Sequence, residues 1–442
     1  MLESRQHIYT CCRNIMSSFL FFYIIRIGVC FMAQSKVHST QSTKAHALTP
    51  GTTLTQERKI RQVSAWLLLF FLLQGELGAV WDREWHAYVG RDQFWTPPHT
   101  LIYTCVSGAG LLALAIVLWE TLRYRRHVPE VDDTSTVAIF RFFHAPLGFS
   151  VLGFGALLSL ISAPLDNYWH ELYGIDIALW APFHMMGVTG GLIGMLGMVY
   201  VFASEAAIQR ESPTQPRRYF GLTALELGIV LTMGSILNYV LTGFLQFPIV
   251  TIGTVHISTY PLPLVAGCLL FMIAVIRSTQ KVGTATLLIF ILTVHTIVVE
   301  LFVPWAIRTA ADVQGIPYRL PDQIPYFRLD YAFLPIAFLL SAIIIDVLAY
   351  RHKRKTGSPN TSMRQTVIVG ALAALPIVLL TPLVLREYTA YAPVFLPEKG
   401  IPVEPGQMIT IVIVSVLIAM GCGALGAWLG EDFGDIWRWS KR

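Results

Sequence analysis

Asp82 and His86 stand four residues apart, and His99 follows just inside the next apolar run. Asp166, His170 and His184 repeat this order one hairpin later, within Asp166-Asn167-Tyr168-Trp169-His170 and then Trp180-Ala181-Pro182-Phe183-His184. The Asp and the first His are offset by 84 residues between copies and the second His by 85, so one inserted loop residue relates them. On a helix, residues four apart lie one above the other on a single face, where a carboxylate and an imidazole can grip one ion. Pro97-Pro98 suits the start of a helix, where N–H groups are unpaired anyway, and so fixes His99 in a first turn. Two imidazoles and one carboxylate suit Cu(II), Zn(II) or Fe(II), and ligand type alone does not choose among them. Asp92 beside Arg91, and Asp176, are placed to orient the imidazoles through hydrogen bonds. An Asp and a His at a helix end can instead simply cap it. Capping does not account for keeping all three residue types at matched offsets through a duplication, which favours metal at both copies.

The elements that must position these residues are membrane helices. The 442-residue chain is 54% hydrophobic and 13% charged, with a mean hydropathy of +0.58, more apolar side chain than one soluble core accommodates. Runs long enough to cross a hydrocarbon core occur near 63–81, 98–120, 139–163, 182–204, 219–243, 260–277, 283–304, 331–350, 365–385 and 407–429. Lacking short alternating strands, they predict an all-α polytopic bundle of about ten spans and exclude a barrel.

Lys and Arg gather on alternate loops, among them Arg58, Lys59 and Arg61, then Arg123, Arg125 and Arg126, then Arg351, Lys353, Arg354 and Lys355. By the positive-inside rule both ends of the ten-span core are cytoplasmic, and both Asp/His motifs face the extracytoplasmic side of a cell membrane. The net charge of +5 follows from this rule and does not point to nucleic acid. The six Cys have no paired spacing across the outer loops, so neither a disulfide framework nor a Cys-based zinc site is indicated.

Three regions follow. Residues 1–62 form an N-terminal extension, in which 15–33 is either an eleventh, anchoring helix or lies upstream of a start at Met32, and 34–60 is a polar tail. Residues 63–205 form the duplicated two-hairpin unit, and 206–442 a six-helix region with Pro- and aromatic-rich outer loops. Further polar groups lie within the spans. Glu76 could relay protons, pair with His86 or be a structural carboxyl. His295 and Glu300, ahead of Arg308, read as an extra site or as part of a Glu–Arg interfacial pair. Met185 and Met186 could hold Cu(I) or simply pack. Glu226, Asn238, His144 and Asp346 are single polar groups.

The string His86-x4-Arg91-Asp92-x3-Thr96-Pro97-x-His99, with Asp82 four before His86, resembles the copper-site motif in the C subunit of the copper membrane monooxygenases, the particulate methane and ammonia monooxygenases. That subunit carries a second copy one hairpin later with the spacing seen from Asp166 to His170 to His184. The resemblance covers about residues 63–205. It implies one intramembrane copper site at Asp82, His86 and His99, and a neighbouring one at Asp166 and His170 with His99 able to swing between them. It also implies a copper-dependent oxidoreductase that activates O2 to oxidise a small apolar substrate, with other membrane or extracytoplasmic subunits as partners. Asp166 stands where the family carries Asn, adding a negative charge and a stronger ligand. The six later helices have no counterpart by motif. Iron or zinc in place of copper, and metal handling or transport without catalysis, are the alternative expectations.

Overall fold

The computed structural model describes residues 56–90, 93–128, 135–173, 181–212, 216–244, 249–252, 255–258, 261–319, 323–384 and 405–438. The stretch 15–33, Arg91, Asp92, Asp176 and Trp180 lie outside the described residues. The helices are α1 Gln56–Tyr88, α2 Pro97–Arg125, α3 Leu147–Tyr173, α4 Pro182–Glu211, α5 Ala224–Phe244, α6 Pro261–Thr279, α7 Thr284–Gln314, α8 Leu329–Ala332, α9 Ile336–Thr356, α10 Met363–Val384 and α11 Pro405–Arg438. Nine helical stretches among the described residues are long and apolar enough to cross a bilayer, α8 and α9 together forming one of them, Leu329–Thr356. The run expected over 260–277 is a shorter apolar helix, Leu264–Thr279 in its described part. The chain is thus an all-α polytopic membrane bundle.

Two spans begin later than hydropathy predicts, each for a local reason. The run from 139 opens as an antiparallel hairpin, β1 Thr136–Ile139 and β2 Phe143–Pro146, turning at Phe140 and Arg141 with φ of 48° and 63°. Pro146 holds Ala145 out of helical conformation, so α3 starts only at Leu147. The run from 219 opens as β3 Arg218–Tyr219 and β4 Leu222–Thr223. α5 is then started by a capping box, in which the Thr223 N–H donates to Glu226 Oε2 at 2.9 Å and the Glu226 N–H donates to Thr223 Oγ1 at 3.2 Å. A third hairpin pairs β5 Ile249–Ile252 with β6 Val255–Ser258.

The described chain divides into two compact units. One comprises residues up to 236 together with 294–332. In it α1 packs on α2 and α4, α2 on α3, and α3 on α4. The α3–α4 contact is a backbone approach. A Cβ added at Gly155 would lie 2.4 Å from Gly194 N and 2.5 Å from Gly190 O, and Ser159 Oγ donates to Gly187 O at 3.0 Å. Small residues at this spacing let helices pack closely where lipid gives no hydrophobic drive. Gly155→Leu is expected to prise α3 from α4 and cost about 1–3 kcal/mol by overpacking, read as a lower melting temperature in vesicles. It should also separate Asp166 and His170 on α3 from His184 on α4 while leaving the Asp82 cluster intact.

At its N-terminal end α1 is locked by ion pairs. Arg61, with a fully buried side chain, reaches Glu57 at 2.7 Å and Glu120 on α2 at 2.5 Å. Arg58 binds Glu205 on α4 at 2.8 Å, and Arg123 on α2 binds Glu57 at 2.9 Å. Asp82 lies 21 residues along from Arg61, about 32 Å on an α-helix and close to the thickness of a hydrocarbon core.

The other unit comprises residues 237–293 and 333–438 of the described chain. Its seam is α6 against α11, where Gly426, Gly430 and Gly434 climb α11 at four-residue steps. A Cβ at Gly426 would meet Ala266 O at 2.3 Å, and one at Gly430 would meet Leu270 O at 2.3 Å. Arg277 pairs with Glu431 along the same seam. On α9 the Asp346 carboxylate accepts the backbone N–H groups of Gly283 and Thr286, each at 2.8 Å, and so caps α7.

Candidate metal centres

α1 stays helical to Tyr88, so Asp82 and His86 share a face one turn apart. The neighbouring face carries Val80, Trp85 and Val89, which pack with Val299, Val303 and Ile307 of α7. That apolar contact fixes the rotation of α1. A second tie holds the same end, because Arg328 binds Glu300 of α7 at 2.7 Å and Glu84 of α1 at 3.3 Å. The Arg319 N–H donates to Tyr88 O at 2.8 Å, anchoring the loop before α8 to the end of α1.

His99 enters from α2. Thr96 has extended backbone angles, Pro97 and Pro98 open the helix, and His99 is its third residue. The ligand atoms of Asp82, His86 and His99 lie within 4.8 Å of one another. His99 Nε2 stands 3.1 Å from Asp82 Oδ1, and His86 Nε2 stands 3.7 Å from Asp82 Oδ2, so each carboxylate oxygen faces one ring. His99 Nδ1 is 3.0 Å from the Gln93 carbonyl oxygen. A carbonyl only accepts, so Nδ1 carries the hydrogen and the Nε2 of neutral His99 turns its lone pair to the carboxylate. Two lone pairs at that distance repel unless a positive charge, a proton or a cation, lies between them. A backbone carbonyl fixing the ring of a metal-bound histidine is a common second contact in metal sites.

The second cluster is built the same way on the next hairpin. Asp166 and His170 share a face near the end of α3, beyond Pro164, and His184 is the third residue of α4 after Pro182. The three ligand atoms again lie within 4.8 Å of one another. Here one oxygen serves both rings. Asp166 Oδ2 is 3.0 Å from His184 Nε2 and 3.4 Å from His170 Nε2, while Oδ1 is buried and accepts no hydrogen bond. His184 thus stands against Asp166, and His99 against Asp82, so each Asp has its own pair of rings.

Aromatic rings lie beside both clusters. Tyr103 lies over His99 with centroids 5.6 Å apart, and Phe94 and Trp95 pack on Tyr103. Trp169 lies against Phe183 and Tyr173 beside the second cluster. All six proposed ligands are at most 20% exposed at the side chain.

The remaining polar candidates take other places in the fold. Glu76 pairs with Ser235 of α5 and His295 of α7. Glu300 does form a Glu–Arg pair, and its partner is Arg328. His144 stacks on Tyr124 at 3.6 Å, Glu226 belongs to the capping box, and Asp346 caps α7. Cys105, Cys268 and Cys422 are buried free thiols. Sequence reasoning missed Arg328 and Ser235, whose partners lie far along the chain. No protein-family model, curated protein or solved structure matches this chain.

Proposed function

We propose that this chain is a copper-binding integral membrane protein, in which Asp82, His86 and His99 hold one ion and Asp166, His170 and His184 a second. By its resemblance to the monooxygenase C subunit, it acts on dioxygen and a small apolar substrate that enters from the bilayer. What supports the reading is that each half of a duplication brings one carboxylate and two imidazoles to a common point, with ligand atoms within 4.8 Å of one another. Nitrogen and carboxylate donors suit Cu(II), and three protein ligands leave coordination positions open. Bound copper would supply one-electron chemistry toward dioxygen, with electrons from a quinol or another carrier.

The protein's own part is to hold the donors in order. Gln93 fixes the His99 tautomer, and the α1–α7 apolar contact sets the direction of Asp82 and His86. In this reading the clusters face the extracytoplasmic side, where separate membrane or extracytoplasmic subunits dock. Metal handling without catalysis is the second reading. It draws on Glu76, Ser235 and His295, which extend the polar line inward along α1.

The test is elemental analysis of protein purified in native-like bilayer without chelator, set beside a His86→Ala, His99→Ala double variant. Copper in the wild type that falls by about half in the variant supports the reading, and oxygen consumption then separates catalysis from handling. Iron or zinc in its place would reassign the metal. A chain that retains no metal after loading with copper, iron or zinc would return these residues to a structural role.

A further inference from the structure

Glu76 lies on α1 six residues before Asp82, about 9 Å deeper along the helix. Its side chain is fully buried, a costly place for a carboxylate in a membrane span. Ser235 Oγ donates to its Oε2. The other oxygen, Oε1, faces His295 Nε2 at 3.5 Å, and that nitrogen is buried without a hydrogen bond.

We propose that Glu76 and His295 form an intramembrane proton-binding site in which the pair holds one exchangeable proton. With no proton between them, an oxygen lone pair would face a nitrogen lone pair, and the pair would bear a net negative charge away from water. With two, hydrogens would face each other across a net positive charge. With Nδ1 of His295 carrying the ring's own hydrogen, one further proton leaves the pair neutral whether it rests on Oε1 or on Nε2, so no net charge needs solvation. Arg328 with Glu300 is the contrasting case, because a guanidinium does not release its proton in proteins. An imidazole does, near neutral pH.

Among the described residues, the nearest acidic groups along α1 and α7 are held by other partners, and α8, whose Ala332 O accepts from Thr296 Oγ1 at 2.8 Å, carries Asp330. On α1 the next acidic group is Asp82, held by His86 and His99. On α7 it is Glu300, held by Arg328. α5 presents the uncharged Ser235, α4 meets α1 through Gly194 against Leu72, and α2 presents Cys105 opposite Gly75. The site stands whether or not the Asp82 cluster holds an ion.

The test uses the full-length, chelator-treated protein in phosphatidylcholine vesicles, followed by infrared difference spectroscopy between acid and alkaline buffer in H2O and in D2O. The expected result is a protonated-carboxyl C=O band that shifts in D2O, is lost in Glu76→Gln, and changes in frequency and in the pH range of its appearance in His295→Gln. A reciprocal variant, Glu76→His with His295→Glu, should restore a shared-proton band and covers the case in which a single variant fails to fold. Wild-type spectra identical to those of Glu76→Gln would overturn the proposal, because Glu76 would then exchange no proton. A band lost in Glu76→Gln but untouched in His295→Gln would overturn it too, by reducing the site to a lone carboxyl.

Discussion

Asp82→Ala is expected to weaken metal retention at the first cluster by on the order of 100-fold or more, since even contacts outside the ligand set cost 10–100-fold in metal sites. The carboxylate turns an oxygen to each of two rings, so in the proposed copper site its loss would remove both a ligand and the charge that offsets the ion. Because each Asp faces its own pair of rings, His99→Ala and His184→Ala should each remove a single, different equivalent. Asp166→Asn keeps the shape of the second site and removes its charge, so retention there should fall while the first site holds. Metal content of the four variants after dialysis against a weak chelator reads this directly. A His99→Ala chain that loses both equivalents would instead mean that one histidine serves both sites.

Arg61→Met is expected to be the most destabilising substitution at the far end of α1. It would leave Glu120, fully buried, and Glu57 without the guanidinium that bridges them. Breaking a buried pair by removing one partner costs about 3–5 kcal/mol, whereas replacing the whole pair by apolar or neutral groups is often close to neutral. The double variant Arg61→Met, Glu120→Gln should therefore recover much of the loss. Thermal unfolding in vesicles, with both single variants completing the cycle, measures the coupling. Equal losses in the single and double variants would show that the network adds nothing beyond packing. Arg58, Arg61 and Arg123 are each tied to a Glu, so less free positive charge stands at this end of α1 than the sequence count suggests.

The helices were legible because hydropathy reports burial in lipid directly, and the Asp/His constellations because helical spacing converts sequence distance into a shared face. Pro97 and Pro182 made the second histidines legible as well, since proline marks where a helix begins. The openings of α3 and α5 were not, because short apolar runs such as Thr136 to Ile139 read alike as strand or helix, and only the turns and Pro146 decide. The glycine steps Gly426, Gly430 and Gly434 went unread in the sequence, because a small-residue pattern does not say which helix it packs against. Polar partners were the hardest to foresee. Glu300 takes Arg328 across 28 residues rather than Arg308 within its own helix, and Glu76 meets Ser235 across 159. Such pairings depend on which helices adjoin, and hydropathy says nothing of that.

The third-residue placement of His99 and His184 has a consequence for how the two copies could diverge. Proline resets the helical phase at the start of α2 and α4, so each histidine is indexed to its own helix and not to the length of chain before it. The extra residue between the second Asp/His pair and its partner histidine is therefore absorbed upstream of Pro182. Connector length and ligand position are separate variables in this architecture. The connector can therefore differ by a residue between the copies while each Asp and its two histidines keep the same arrangement.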